Sequence, residues 1–409
     1  MHQAEIARVF EADGPFTSVY LDTEGDVEQA ADRVALRWKN LRGSLLAAGV
    51  TEGTVAAIDP LVEGSHMAGA TLAVIAAVDG PRYVANLPDP PPRDTLLRHG
   101  ALPDVLPLLA AAQAAVPHLA VLTDRTGADM AARGVADGEA RAERVEGRVS
   151  PHLHKPQAGG WSQPRFHHRA EAIWESNASE VADALARLVD QVRPRFVAAA
   201  GDVRALQLLR EQAPKRVREL LTVVGGEYGS LEAVFAEADK LAAATVEADN
   251  RALLDRLAEE LGQAADPGAE RGDRAVGGAP APGAERGTRA VEGAAATLAA
   301  LARGQVATLL LTGLFLDDRR TAWFGPASTD VAADREALAG LGVPGPVEGR
   351  LIDVAVRAAL GTGAEVRVLD PADETRPAVD RGATHDAPAP PEHAPAEGLG
   401  ALLRFPLGP

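Results

Sequence analysis

The chain has 409 residues and no cysteine, so disulfides and thiolate chemistry are excluded, and its length suffices for two to four domains. Its 58 Asp and Glu outnumber 41 Lys and Arg, a net charge of -17, which excludes a general nucleic-acid coat because that needs many cations on phosphates. No apolar stretch approaches the roughly 20 residues that span a bilayer. Met1-His2-Gln3-Ala4-Glu5 lacks the basic and apolar regions of a signal peptide, so a cytoplasmic protein without membrane contact is expected.

In chain order, residues 16–22 (FTSVYLD) read as a strand from their β-branched and aromatic content. Residues 31–48 read as a helix with Val34, Trp38, Leu41 and Leu45 on one face. Two strands, 71–78 and 82–87, meet at the hairpin signal Asp79-Gly80-Pro81, and the prolines of 88–92 then break regular structure. Residues 1–115 are expected to form an N-terminal α/β domain.

Residues 118–123 (HLAVLT) open a second α/β unit, followed by a turn at Asp124-Arg125-Thr126-Gly127 and a return strand over 129–134. Asp124 reads as a turn former rather than a metal ligand, since no partner carboxylates cluster near it in the sequence. Asn177-Ala178-Ser179-Glu180 reads as an N-cap for a helix over 181–192, with Val181, Leu185 and Leu188 inward. A buried strand over 196–201 and a helix over 203–212 follow. This β-α alternation supports a layered α/β domain over 116–230.

A long connecting helix is expected over 231–261, with Val234, Leu241, Leu253, Leu257 and Leu261 along one side. PGAERG at 267–272 recurs at 282–287, which reads as a flexible duplicated insertion within 263–293. A C-terminal α/β domain closes the chain, counted from 231 to 409. Its expected strands are 307–311 and 364–369, its helices 331–341 and 350–360. Asp317-Asp318-Arg319-Arg320 forms a charged turn before a hairpin strand at 321–324. The Pro- and Ala-rich stretch 375–397 reads as a disordered excursion.

The pairs His152/His154, His167/His168 and His385/His393 invite a metal reading. Structural zinc usually takes four ligands and no cysteine is present, so solvated loop histidines are expected, with no metal and no cofactor.

One segment stands apart. From 147 to 170 there is no acidic side chain, while Arg148, Lys155, Arg165, Arg169, His152, His154, His167 and His168 supply positive or protonatable groups. Pro151, Pro156 and Pro164 disfavour helix and sheet, and Gly159-Gly160 lets another chain approach the backbone closely. A projecting cationic loop on an acidic protein is a candidate contact for RNA. The candidate residues are His152, His154, Lys155, Gly159, Gly160, Trp161, Ser162, Gln163, Arg165, His167, His168 and Arg169. The competing reading is a surface loop with a chance cluster of histidines. Trp161 could stack on an exposed base, worth roughly 1–3 kcal/mol, or pack against its own domain.

Gly159-Gly160-x-Ser162-x-x-Arg165-Phe166 resembles the loop tip of the middle domain of eukaryotic and archaeal class-1 release factors. In that family Gly-Gly-Gln is followed by Ser, and an Arg-Phe pair begins a helix. Three further segments resemble the family in its own order: 222–229 (TVVGGEYG), 294–312 (AAATLAALARGQVATLLLT) and 398–405 (GLGALLRF). The nearest subgroup is the bacterial release-factor-like proteins, Pelota-related, of the actinobacterial branch related to Balon-type ribosome hibernation factors. The resemblance implies three α/β domains, with an RNase H-like middle domain carrying the Gly-Gly loop and a C-terminal α-β-α sandwich. It also implies binding to ribosomal RNA in the vacant A site, with elongation factor Tu or another translational GTPase as a partner.

The chain departs from the family where the chemistry sits. Trp161 occupies the glutamine position, and an indole N–H cannot reproduce a carboxamide's donor and acceptor pair. No counterpart of the family's codon-reading tetrapeptide is found. The expected function is therefore a ribosome-binding hibernation or translational stress factor without peptidyl-tRNA hydrolysis. The alternatives are a rescue enzyme, hydrolysing peptidyl-tRNA through Gln163 or cleaving tRNA, and a non-ribosomal interaction protein.

Overall fold

A computed structural model describes residues 3–23, 30–63, 65, 69–91, 95–134, 142–147, 163–225, 229–265, 288–313, 318–369 and 394–406. At 30, 163–170 and 263–265 it describes the backbone course only. The chain divides into two compact units, one comprising Ala114–Ala248 and the other His2–Gln113 with Asp249–Pro409.

The N-terminal part of the second unit runs α1 (Gln3–Ala7), β1 (Phe16–Asp22), α2 (Ala30–Ala47), α3 (Glu52–Val62), β2 (Thr71–Ala77), β3 (Gly80–Leu87), β4 (Thr95–Gly100) and α4 (Leu106–Ala114). The sheet order is β3-β2-β1-β4, antiparallel throughout. Strand alternation sends Val19 and Leu21, with Leu72, Val74 and Ala76, into a core with Val34, Trp38, Leu45 and Ile58 of α2 and α3. Ser18 and Tyr20 face the other way and bind the Asp104 backbone: Tyr20 Oη donates to its carbonyl at 2.7 Å, and its N–H donates to Ser18 Oγ at 2.9 Å.

The middle unit contains β5 (His118–Thr123), β6 (Gly127–Arg133), β7 (Ala142–Glu146), α5 (Gln163–Val192), β8 (Phe196–Gly201), α6 (Val203–Gln212), α7 (Lys215–Arg218), β9 (Leu221–Val223) and the first half of α8 (Leu231–Ala265). Its sheet order is β7-β6-β5-β8-β9. The first three strands form an antiparallel meander, and β8 and β9 continue parallel to β5, which is RNase H-like topology. Both faces are covered. Leu119, Val121, Val197 and Ala199 pack under Val181, Leu185 and Leu188 of α5. Ala120, Ala198 and Ala200 meet Val234, Phe235, Ala238 and Ala242 of α8. Burial on two faces explains why β5 and β8 are continuously apolar.

The remainder comprises the second half of α8, β10 (Ala290–Glu292), α9 (Ala294–Ala302), β11 (Val306–Thr312), β12 (Thr321–Phe324), β13 (Val331–Ala332), α10 (Arg335–Gly340), β14 (Val347–Arg350), α11 (Leu351–Gly361), β15 (Glu365–Leu369) and β16 (Leu399–Leu403). The main sheet is β10-β16-β11-β15, and β13-β12-β14 form a smaller one. Leu254 and Leu257 of α8 pack against Ala290, Leu310, Leu369 and Leu402 on one face of the main sheet. α11 contacts β11 and β15, and α9 contacts β16. Since Leu310 points to α8, its buried neighbours Leu309 and Leu311 point to that opposite helical layer, giving an α-β-α sandwich.

A buried ion cluster joins the two parts of this unit. Asp104, 1% exposed, accepts from Arg98 at 2.7 Å and lies 3.0 Å from Arg350. Arg350 forks onto Asp353 at 2.6 and 2.9 Å. Burial pushes the Asp353 carboxyl up to about 7, the charge of Asp104 adds to this, and the Arg350 hydrogen bonds oppose it.

Some sequence expectations fail, each for a physical reason. Asn177 caps nothing: α5 is continuous from Gln163, and Asn177 is buried mid-helix, donating sideways to the Arg125 carbonyl at 2.9 Å. The helix expected over 331–341 is strand β13 and then α10, because Val331 pairs with Phe324 and Asp334 caps the helix by accepting from Ala337 N at 2.8 Å. α8 was assigned whole to the C-terminal domain, yet its first half packs in the middle unit, so that junction falls within a helix, without punctuation in the sequence. Strands β4, β7 and β10 and helix α3 went unread. The duplicated PGAERG segment, and the 375–397 excursion up to residue 393, lie outside the described residues.

Candidate functional site

The acid-free segment leaves the middle unit after β7 and returns as α5. His152, His154, Lys155, Gly159, Gly160, Trp161 and Ser162 lie outside the described residues. Gln163, Arg165, His167, His168 and Arg169 occupy the first two turns of α5 as backbone. What the structure fixes is the base from which the segment leaves.

That base is built at the C-terminal ends of β5 and β8. The β5–β6 turn is held by Asp124, whose Oδ1 accepts from Thr126 N at 2.6 Å, Thr126 Oγ1 at 2.6 Å and Gly127 N at 2.9 Å. Partial burial would raise its pKa, but the bonds from Thr126 and Gly127 outweigh this and lower it. The turn reading of Asp124 therefore accounts for its side chain. Among the described residues no group of three or more His, Asp or Glu could hold a metal ion.

The outgoing foot is Gly147. Its N–H donates to the Thr126 carbonyl at 2.6 Å, and a Cβ there would sit 2.4 Å from the Asn177 side chain and 2.7 Å from that same carbonyl. Only glycine lets the strand end lie this close to α5. The incoming foot is α5 itself, gripped at three successive turns. Glu171 accepts from Arg204 of α6 at 2.7 Å, Trp174 lies under the Arg125 guanidinium at 4.6 Å, and Asn177 binds the Arg125 backbone.

Asp202 ties these groups to the sheet. It caps α6 by accepting from Arg204 N at 2.9 Å and Ala205 N at 3.1 Å, and it pairs with Arg125 at 3.1 Å. The Arg125 hydrogen bond, helped by the cap bonds, lowers its pKa against the opposing effect of burial. Gly147 and α5 from Glu171 to Asn177, which flank the segment on either side, are thus clamped to one edge of the sheet. Beyond Glu171, α5 extends about 12 Å toward the loop, eight residues at 1.5 Å each.

Sequence reading missed this clamp. Arg125 was taken as part of a turn, Asn177 as a cap, and Trp174, Glu171, Asp202 and Arg204 drew no comment. Their partners are distant in sequence: Arg125 and Asp202, for example, are 77 residues apart. No helix among the described residues is long and apolar enough to cross a membrane.

Residues 117–263 match the model of bacterial archaeo-eukaryotic release factor family 2. Two uncharacterised Mycobacterium tuberculosis proteins, MT2704 of strain CDC 1551 and Rv2629 of strain H37Rv, are each 28% identical over 398 residues, covering 96% of this chain and 94% of theirs. Among solved structures, archaeal translation termination factor aRF1 aligns over 99% of both chains at 14% identity with a TM-score of 0.24. Saccharomyces cerevisiae Dom34, described as a translation termination-like factor interacting with Hbs1, aligns over 72% of this chain and 66% of its own, at 12% identity and a TM-score of 0.34. The family match, over residues 117–263, thus falls on the RNase H-like unit and continues along α8, and it is this part of the chain that is similar to the bacterial release-factor-like proteins.

Proposed function

We propose that this chain is a ribosome-binding, release-factor-like translation factor of the cytoplasm. It occupies the A site, inserts the basic loop among ribosomal RNA phosphates and bases, and serves in hibernation or translational stress. The observation that carries this reading is the anchoring of both described ends of the acid-free segment: Gly147, Asn177 and the Arg125–Asp202 pair fix where it leaves and rejoins one sheet edge of an acidic protein. The family match over that unit adds to it. Lys155, Arg165 and Arg169 meet phosphate, and Trp161 stacks on a base.

Because Trp161 replaces the family's glutamine, the protein blocks the site rather than cleaving peptidyl-tRNA. A translational GTPase of the elongation factor Tu class is the partner that would deliver it.

Co-sedimentation with 70S ribosomes across roughly 50–200 mM salt tests the reading. Binding that falls steeply with salt, and that weakens at least tenfold in K155Q/R165Q/R169Q, is expected. No co-sedimentation at the lowest salt would refute it.

A further inference from the structure

The opposite end of the middle unit carries a second concentration of positive charge. Residues 193–218 hold seven Arg and Lys against two acids, in a chain of net charge -17. Six of them, Arg193, Arg195, Arg210, Lys215, Arg216 and Arg218, are exposed.

The fold gathers these six at the N-terminal end of β8, opposite the strand ends where Asp124, Arg125 and Gly147 lie. Arg193 follows the last residue of α5 and donates its N–H to Val189 O at 2.9 Å. Arg195 and Arg218 each lie two residues from the 2.8 Å bond between Val197 N and Leu220 O, which ties β8 to the end of α7. Arg210 lies in the last turn of α6, directly before α7. Arg216 of α7 forks onto Asp190 of α5 at 3.0 and 2.9 Å.

The local acids do not neutralise this face: Asp190 is taken by Arg216, Glu219 lies 3.6 Å from Lys215, and exposed Glu211, beside Arg210, accepts from Gln207 at 3.0 Å, which leaves six cations over three carboxylates. Arg193, Arg210 and Arg218 make no ion pair among the described residues. Arg193 also holds φ 51, a left-handed helix-end position where glycine is the usual residue. The residue placed there costs backbone comfort and adds charge to the patch.

The composition of the patch selects among partners. Its one aromatic, Phe196, is buried, so it offers neither the stacking platform that single strands need nor the aromatic anchor typical of protein interfaces. What remains is an array of guanidinium forks suited to phosphate oxygens. We propose that this face binds the phosphate backbone of an RNA duplex, a second RNA contact of the middle unit beside the loop. The proposal deepens the ribosomal reading by assigning a helical stretch of RNA to the end of the unit opposite Gly147 and Arg125.

The test uses the full chain, a naked RNA duplex of about 20 base pairs, and the substitutions R193Q/R210Q/R218Q, which break no ion pair. Binding is followed across roughly 50–200 mM salt. The triple variant should bind at least tenfold more weakly at low salt, with a salt slope smaller by about 2–3, one unit per arginine. R193K/R210K/R218K should retain the wild-type slope, which separates lost charge from damaged folding.

Absence of wild-type duplex binding at low salt, or an unchanged slope in the glutamine variant, overturns the proposal. If the glutamine variant binds naked duplex normally yet leaves ribosomes, the partner is an acidic protein and the RNA assignment falls. The loop variant in co-sedimentation reports on the ribosomal reading independently, so the two failures are distinguishable.

Discussion

Gln113 satisfies both backbone groups of Val368: its Nε2 donates to the Val368 carbonyl at 3.0 Å, and its Oε1 accepts from the Val368 N–H at 3.1 Å. Gln3 treats Val366 in the same way, at 2.7 and 3.0 Å. β15 is an edge strand, and Val366 and Val368 are the positions whose backbone faces away from β11. Two glutamine side chains therefore take the place of a fifth strand. An unpaired edge invites intermolecular pairing, and a buried amide without a partner costs about 1–3 kcal/mol. Gln113→Ala is expected to lose about that much in urea unfolding and to aggregate faster on warming, whereas Gln207→Ala on the exposed face of α6 should do neither.

Asp353 makes stability depend on pH in an unusual direction. Burial pushes its carboxyl up to about 7 in the folded protein from the ordinary aspartate value of 3.8, so the native state holds its proton more tightly than the unfolded chain does. The contribution is fully present at acid pH and is lost as pH rises toward and through 7. Asp353→Asn removes this titration while keeping a side chain of the same shape. The difference in melting temperature between variant and wild type should move in the variant's favour as pH rises from 5 to 8. A difference independent of pH would contradict the assignment.

Gly147→Ala tests the clamp at the base of the loop. The added methyl would meet the Asn177 side chain and the Thr126 carbonyl, so the strand end must move away from α5. A loss of about 1–3 kcal/mol is expected. Amide exchange should accelerate at 142–147 and 171–177 and stay unchanged across β1 and β2.

Peptide release gives the chemical test. With indole in place of carboxamide at Trp161, the wild-type chain should release no peptide from P-site peptidyl-tRNA above background, and Gln163→Ala should change nothing. Release that is lost in Gln163→Ala would mean that Gln163 has taken over the missing role.

Much of the fold was legible in the sequence. Local patterns set the strand at Phe16–Asp22, the strand at Phe196–Gly201 and the helix at Val203–Gln212, because β-branched and aromatic content, apolar runs and Gly or Asp stops act within a few residues. The cationic segment is legible in the same way, since a run of 24 residues without an acid is a linear property. β4 and β7 were not found. Polar strands such as AERVE become strands through their partners, here Gly127–Ala131 of β6.

The sequence by itself determined which segment is cationic and that Trp161 follows its Gly-Gly pair, because both depend on residue identity alone. Only the tertiary structure decided what anchors the residues on either side of that segment. The clamp sets Gly147 against Asn177, Arg125 over Trp174 and Arg204 against Glu171, and it forms when β5, β8 and α5 bring remote residues to one sheet edge. The tertiary structure likewise brought Arg98, Asp104, Arg350 and Asp353 into one buried cluster. Such contacts depend on the three-dimensional path of the chain, and charges far apart in sequence become partners only once the apolar faces beneath them have packed.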